Sequence, residues 1–128
     1  MSELTSNVNW LAVIIGTVVS FIIGWLWYSP VLFGKKWAEG SGVELGTASS
    51  MPVAAMVTQL VSTFFLALLV GVTAAQNALA TIILIILTIA GFAMSVGLFG
   101  KKSTFAILVD GGFIVIMGVV MIIIQGIF

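Results

Sequence analysis

Residues 10–30 read WLAVIIGTVVSFIIGWLWYSP, from Trp10 to Pro30, and no formal charge interrupts them. At hydrocarbon depth only a helix satisfies every backbone donor and acceptor within one segment, and a bilayer takes about 20 apolar residues in that form. The run is therefore a membrane span. It stops where Pro30 lacks a donor and pushes Ser29 out of the helical region. Working outward, three more stretches pass the same test. One opens at Ser50-Met51-Pro52, where Ser50 suits a cap and Pro52 a first turn, and continues to Ala74. Another runs from Ala78 to Leu98, and the last from Thr104 to Ile127. The reading is an all-α, four-span transmembrane domain covering residues 1–128, with spans near 10–28, 51–74, 78–98 and 104–127 and an interfacial and linker loop over 29–50.

Composition agrees. Of 128 residues, 62% are hydrophobic and 6% charged, where soluble domains carry about a quarter charged. Four Lys balance four acids, so no basic face exists to meet a nucleic-acid backbone, and nucleic-acid binding is excluded. There is no Cys and no His. Thiolate and imidazole metal sites, disulfides, cysteine nucleophiles and histidine triads are ruled out with them, and no cofactor is expected. The leading MSELTSNVN carries Glu3 without Lys or Arg, and no A-x-A-like site follows the first run, so it reads as a retained helix rather than a signal peptide.

All four lysines fall in two pairs, Lys35-Lys36 after the first span and Lys101-Lys102 after the third. Four spans put both pairs on one side, which the positive-inside bias makes the cytoplasm; both termini then face outward across the plasma membrane. Trp10 marks the outer end of the first span, while Trp25, Trp27, Tyr28 and Trp37 mark its inner end as an aromatic belt. The string Leu32-Phe33-Gly34-Lys35-Lys36 recurs unchanged as Leu98-Phe99-Gly100-Lys101-Lys102. Each copy follows an outside-to-inside helix, so the chain reads as two sequential hairpins in a parallel pseudo-repeat, or as convergence on one kind of membrane exit. After the first copy, Phe33 and Trp37, four apart, form an interfacial piece that dips into headgroups beside Lys35 and Lys36, with Lys101 and Lys102 at the same level. Gly40, Gly42 and Gly46 then read as a flexible linker.

The segments Asn9-Trp10 and Trp27-Tyr28-Ser29-Pro30-Val31-Leu32-Phe33-Gly34-Lys35-Lys36-Trp37 resemble the signature of a family of small bacterial four-span membrane proteins of unknown function, N-W followed by W-Y-S-P-x-L-F-G-x-x-W. Leu98-Phe99, Lys101, Asp110, Gly112 and Met117-Gly118 are similar to its later pattern. The resemblance spans nearly the whole chain; it implies a four-helix membrane fold and no activity.

Helices in lipid associate through close backbone approach and interhelical hydrogen bonds. Small residues four apart mark the seams: Ala12, Gly16, Ser20 and Gly24 in the first span; Thr63, Ala67, Gly71 and Ala75 in the second; Gly91 with Ser95, and Ala93 with Gly97, in the third. In the fourth, Gly111 and Gly118 share a face and Gly112 sits beside them. Spacing leaves open whether these seams close within one chain or between copies. Four helices enclose little interior, so a homo-oligomer is expected.

Asp110 is the charged residue inside a span. It lies about six residues past the inner end of the fourth, roughly 9 Å deep at 1.5 Å per residue. An ionised carboxylate there needs a partner or a proton. Residues at matching height are Gln59 and Thr58 in the second span, Ser95 in the third, and Trp27 and Tyr28 at the end of the first. Two readings follow. Asp110 is either hydrogen-bonded glue, or a carboxylate snorkelling to Lys101 and Lys102, in a structural or interaction module; or it is the polar step of a small oligomeric channel or transporter. A third, weaker reading assigns anionic-lipid binding to the lysine and tryptophan loops. A lone carboxylate offers no acid/base pair, so no catalytic residues and no enzyme activity are expected. Met51, Met56, Met94, Met117 and Met121 read as apolar filler rather than soft-metal ligands.

Overall fold

The computed structural model describes residues 6–43 and 53–128. Within them the chain forms α1 (Trp10–Trp27), α2 (Gly34–Ser41), α3 (Val53–Ala75), α4 (Leu79–Phe99) and α5 (Thr104–Ile127), without a strand. All but α2 are long and apolar enough to cross a bilayer. The protein is a four-span helical membrane protein. The expected start at Ser50-Met51-Pro52 lies outside the described residues, as do Glu3, Glu44 and Gly46.

Local chemistry sets the boundaries. Asn9 caps α1 by accepting from the Ala12 amide at 3.1 Å, and Ser103 caps α5 by accepting from the Ala106 amide at 3.1 Å, each covering one of a helix's orphan donors. After α1 the chain turns back at once, with the Gly34 amide donating to the Ser29 carbonyl at 2.9 Å. A Cβ at Gly34 would fall on the Tyr28 and Ser29 carbonyls, so this turn requires glycine. α2 ends at Gly42, whose φ of 72° is the left-handed conformation glycine supplies most readily.

α5 is the hub, touching α1, α2, α3 and α4; α1 also lies along α3, while α4 rests on α5 and more lightly on α3. The core is built from Val13, Leu66, Val70, Ile86, Phe113 and Met121, among others. The seam of α1 closes within the chain: a Cβ at Gly16 would meet Met121 and Ala67, and one at Gly24 would meet Phe113. Ala12 and Ser20 are buried on that same face. Gly71 faces Val13, Gly111 faces Met94 and Gly118 faces Ile86. Gly91 has no neighbour within 4 Å, and with Ser95 it lines an open groove of about 280 Å³ on the outer side of α4. The expected Gly91 seam is thus not used inside the chain.

Two further expectations change. Gly40 belongs to α2 rather than to a flexible linker, because its carbonyl accepts from the Ser103 amide at 2.9 Å and its bare Cα packs against Ser103 and Ala106. The two copies of Leu-Phe-Gly-Lys-Lys also differ in conformation. Lys35 and Lys36 lie in the first turn of α2, whereas Lys101 follows α4 with a φ of 59° in a turn closed by Lys102 N–H on the Gly97 carbonyl at 3.0 Å. The chain repeats a string without repeating its backbone.

Candidate functional site

Both copies of that string lie at the lysine end of the bundle. α5 carries Asp110 two turns in from its cap. The turn after α1 swings Tyr28 toward it, and α2, packed on α5, brings Trp37 in beside Tyr28. Tyr28 Oη donates to Asp110 Oδ1 at 2.6 Å, and Trp37 Nε1 donates to the same oxygen at 2.9 Å. Lys102 Nζ donates to Oδ2 at 2.8 Å, forming an ion pair. The Lys102 and Asp110 side chains are 29% and 17% exposed, so the pair is part-buried and only weakly screened. Charge-assisted hydrogen bonds of these lengths are the strong kind. Together they meet the need of an acid placed at membrane depth.

Aromatic rings wall the carboxylate. Tyr28 stands edge-on to Trp37 at 5.0 Å between centroids and to Phe113 at 5.5 Å. Trp27 packs on Phe33 at 4.8 Å, and Phe33 on Phe105 at 6.2 Å. Trp27 Nε1 donates to the Val109 carbonyl at 3.1 Å, which uses the spare lone pair of a helical carbonyl. The ammonium of Lys102 lies 5.3 Å from the Trp37 ring centre and that of Lys36 lies 4.6 Å from the Phe105 ring centre, within cation–π range. Gly111 and Gly112 admit neighbours on two sides: Met94 approaches the first and Trp27 the second.

Of the residues expected at Asp110's height, Tyr28 reaches its carboxylate and Trp27 bonds the adjacent carbonyl. Gln59, Thr58 and Ser95 are not brought there. Thr58 is exposed and its hydroxyl turns back to the Ala54 carbonyl at 2.8 Å; Gln59 is exposed; Ser95 lines the groove on α4. The reason is geometric. Burial on α3 begins at Thr63, so its first ten residues lie off the bundle.

Phe33 and Trp37, assigned to the headgroups, are instead turned into the protein, and Lys102 is committed to Asp110. Lys35, Lys36 and Lys101 are exposed at that end. Trp37 as a donor, with Phe105 and Phe113 as walls, escaped the sequence reading. Its signal was the spacing of four between Phe33 and Trp37, which places both on one face of α2, the face that meets α5. Among the described residues no group of three or more His, Cys, Asp or Glu side chains comes together.

The chain belongs to the family described as Protein of unknown function (DUF1761), whose model matches residues 11–126. The match takes in nearly all of the four spans and α2, in keeping with the resemblance to a family of unknown function, and it carries no activity with it. No curated protein and no solved structure matches the chain.

Proposed function

We propose that the protein is a non-enzymatic structural or interaction module of the plasma membrane, one that assembles with copies of itself, and that Asp110 serves as a latch instead of a transport step. The lysine end is placed in the cytoplasm by the positive-inside bias, with both termini outside. The observation that carries the reading is that both oxygens of the carboxylate are already engaged. One oxygen receives two neutral donors and the other a lysine ammonium. A transported cation would have to displace Lys102, and a proton would have to break an ion pair held at 2.8 Å. A site that passes ions gains by binding them weakly and leaving room for the next. The latch instead fastens four pieces of chain, α5, the turn before it, the turn after α1, and α2, into one end-cap.

Proton and cation flux through vesicles carrying the wild type and Asp110→Asn decides between the two roles. Equal flux from both, no greater than that of empty vesicles, is expected, together with a loosened α2 in the variant. Wild-type flux that Asp110→Asn abolishes, with the fold intact, would establish the transport role and overturn the latch.

A further inference from the structure

We infer that the first half of α3, residues 53–62, is the contact surface for a second copy of this chain, with the Gln59 side chains of the two copies hydrogen-bonded to each other. The inference rests on the reading of the protein as an assembling module and names the surface through which it assembles.

Thr63, Leu66, Ala67 and Val70 of α3 are buried, which fixes the stripe that packs on the bundle. Helical spacing carries that stripe back to Gln59, four before Thr63 and seven before Leu66. Yet every residue from Val53 to Ser62 is exposed. The same face is covered in one half of the helix and bare in the other. Gln59 is as far along α3 as Asp110 is along α5, roughly 9 Å from the lysine end at 1.5 Å per residue. At membrane depth a carboxamide gains from an interhelical partner. The Gln59 backbone carbonyl accepts from the Thr63 hydroxyl at 2.6 Å, while its carboxamide bonds to no other described residue.

The chemistry of that carboxamide selects the occupant. It offers two donors and an acceptor. A lipid ester would meet the donors and leave the acceptor bare; a lysine side chain would do the reverse. A second Gln59 meets both, and a two-fold axis forms the two bonds together. Ala55 and Ser62, one turn to either side, are small enough to let two helices approach closely. In the groove on α4 the Thr88 hydroxyl is already satisfied by the Leu84 carbonyl at 2.7 Å.

The chain contains no cysteine, so single-cysteine variants each report one position. In the protein reconstituted in phosphatidylcholine vesicles, Ser62→Cys, which keeps Gln59, is expected to give a disulfide-linked dimer under mild oxidation, and Thr88→Cys is expected to give no cross-link. Gln59→Leu is expected to weaken self-association, read by energy transfer on dilution with lipid, by roughly tenfold for the loss of two interhelical hydrogen bonds. Cross-linking at Thr88→Cys and not at Ser62→Cys would overturn the interface and leave self-assembly standing. So would self-association that Gln59→Leu does not weaken, or capture of a different protein by Ser62→Cys in native membranes. Energy transfer no higher than that of a non-associating control would overturn self-assembly as well.

Discussion

At Asp110 a single carboxylate is asked to satisfy a tyrosine, a tryptophan and a lysine, and the asymmetry of its two oxygens makes the arrangement testable. Tyr28→Phe keeps the ring contacts with Trp37 and Phe113 and removes one donor to Oδ1. Its expected cost is about 1.5 to 3 kcal/mol, the range for a hydrogen bond to a charged group, read by thermal unfolding in detergent. Trp37→Phe removes the second donor to the same oxygen. Since both act on Oδ1, the double variant is expected to cost less or more than the sum by about 0.5 kcal/mol or greater, as groups in one network do; strict additivity would mean the two donors do not share the carboxylate. The need of Asp110 for partners was legible in the sequence, because a charge at membrane depth must be compensated. Which partners answered it was only half legible. Tyr28, Gln59, Thr58 and Ser95 matched it in depth, but depth gives a height along the bundle and says nothing of direction around it.

Glycines show how the elements are fitted to one another. On the face of α5, Gly118 lies against Ile86 of α4, closer than a methyl group would allow, so Gly118→Ala is expected to destabilise by about 1 to 3 kcal/mol through overpacking. Gly91, on the opposite side of α4, meets nothing within 4 Å, and Gly91→Ala is expected to stabilise by up to about 1 kcal/mol through helix propensity alone. Melting temperatures of the two variants in the same detergent should move in opposite directions. The four spans were legible because a run of about 20 apolar residues has one fate in a bilayer. α2 was legible only in part. Its eight residues include Gly34 and Gly40, which weaken a helix by propensity; what holds it is tertiary, the Gly40 carbonyl bonded to the Ser103 amide and Trp37 bonded to Asp110. A linker reading follows from composition when those contacts are out of view.

Taken whole, the molecule is two helical hairpins, α1 with α3 and α4 with α5, joined across α5 and closed at the lysine end by α2. Away from that end a cavity of about 320 Å³ opens between Val70, Ile82, Ile122 and Gln125. Phe113, Met117 and Met121 are buried along α5; the buried hydroxyls of Thr17, Thr63 and Thr73 are bonded to carbonyls of their own helices, and that of Ser20 has no hydrogen-bond partner among the described residues. The central claim is that Asp110 fastens α2 to the four spans. Amide hydrogen exchange of wild type and Asp110→Asn in lipid nanodiscs tests it most directly. Exchange over Gly34–Ser41 is expected to quicken by about tenfold, each factor of ten corresponding to about 1.4 kcal/mol of local stability, with the amides of α1, α3, α4 and α5 away from the lysine end unchanged. Unaltered protection across α2 in the variant would contradict the claim.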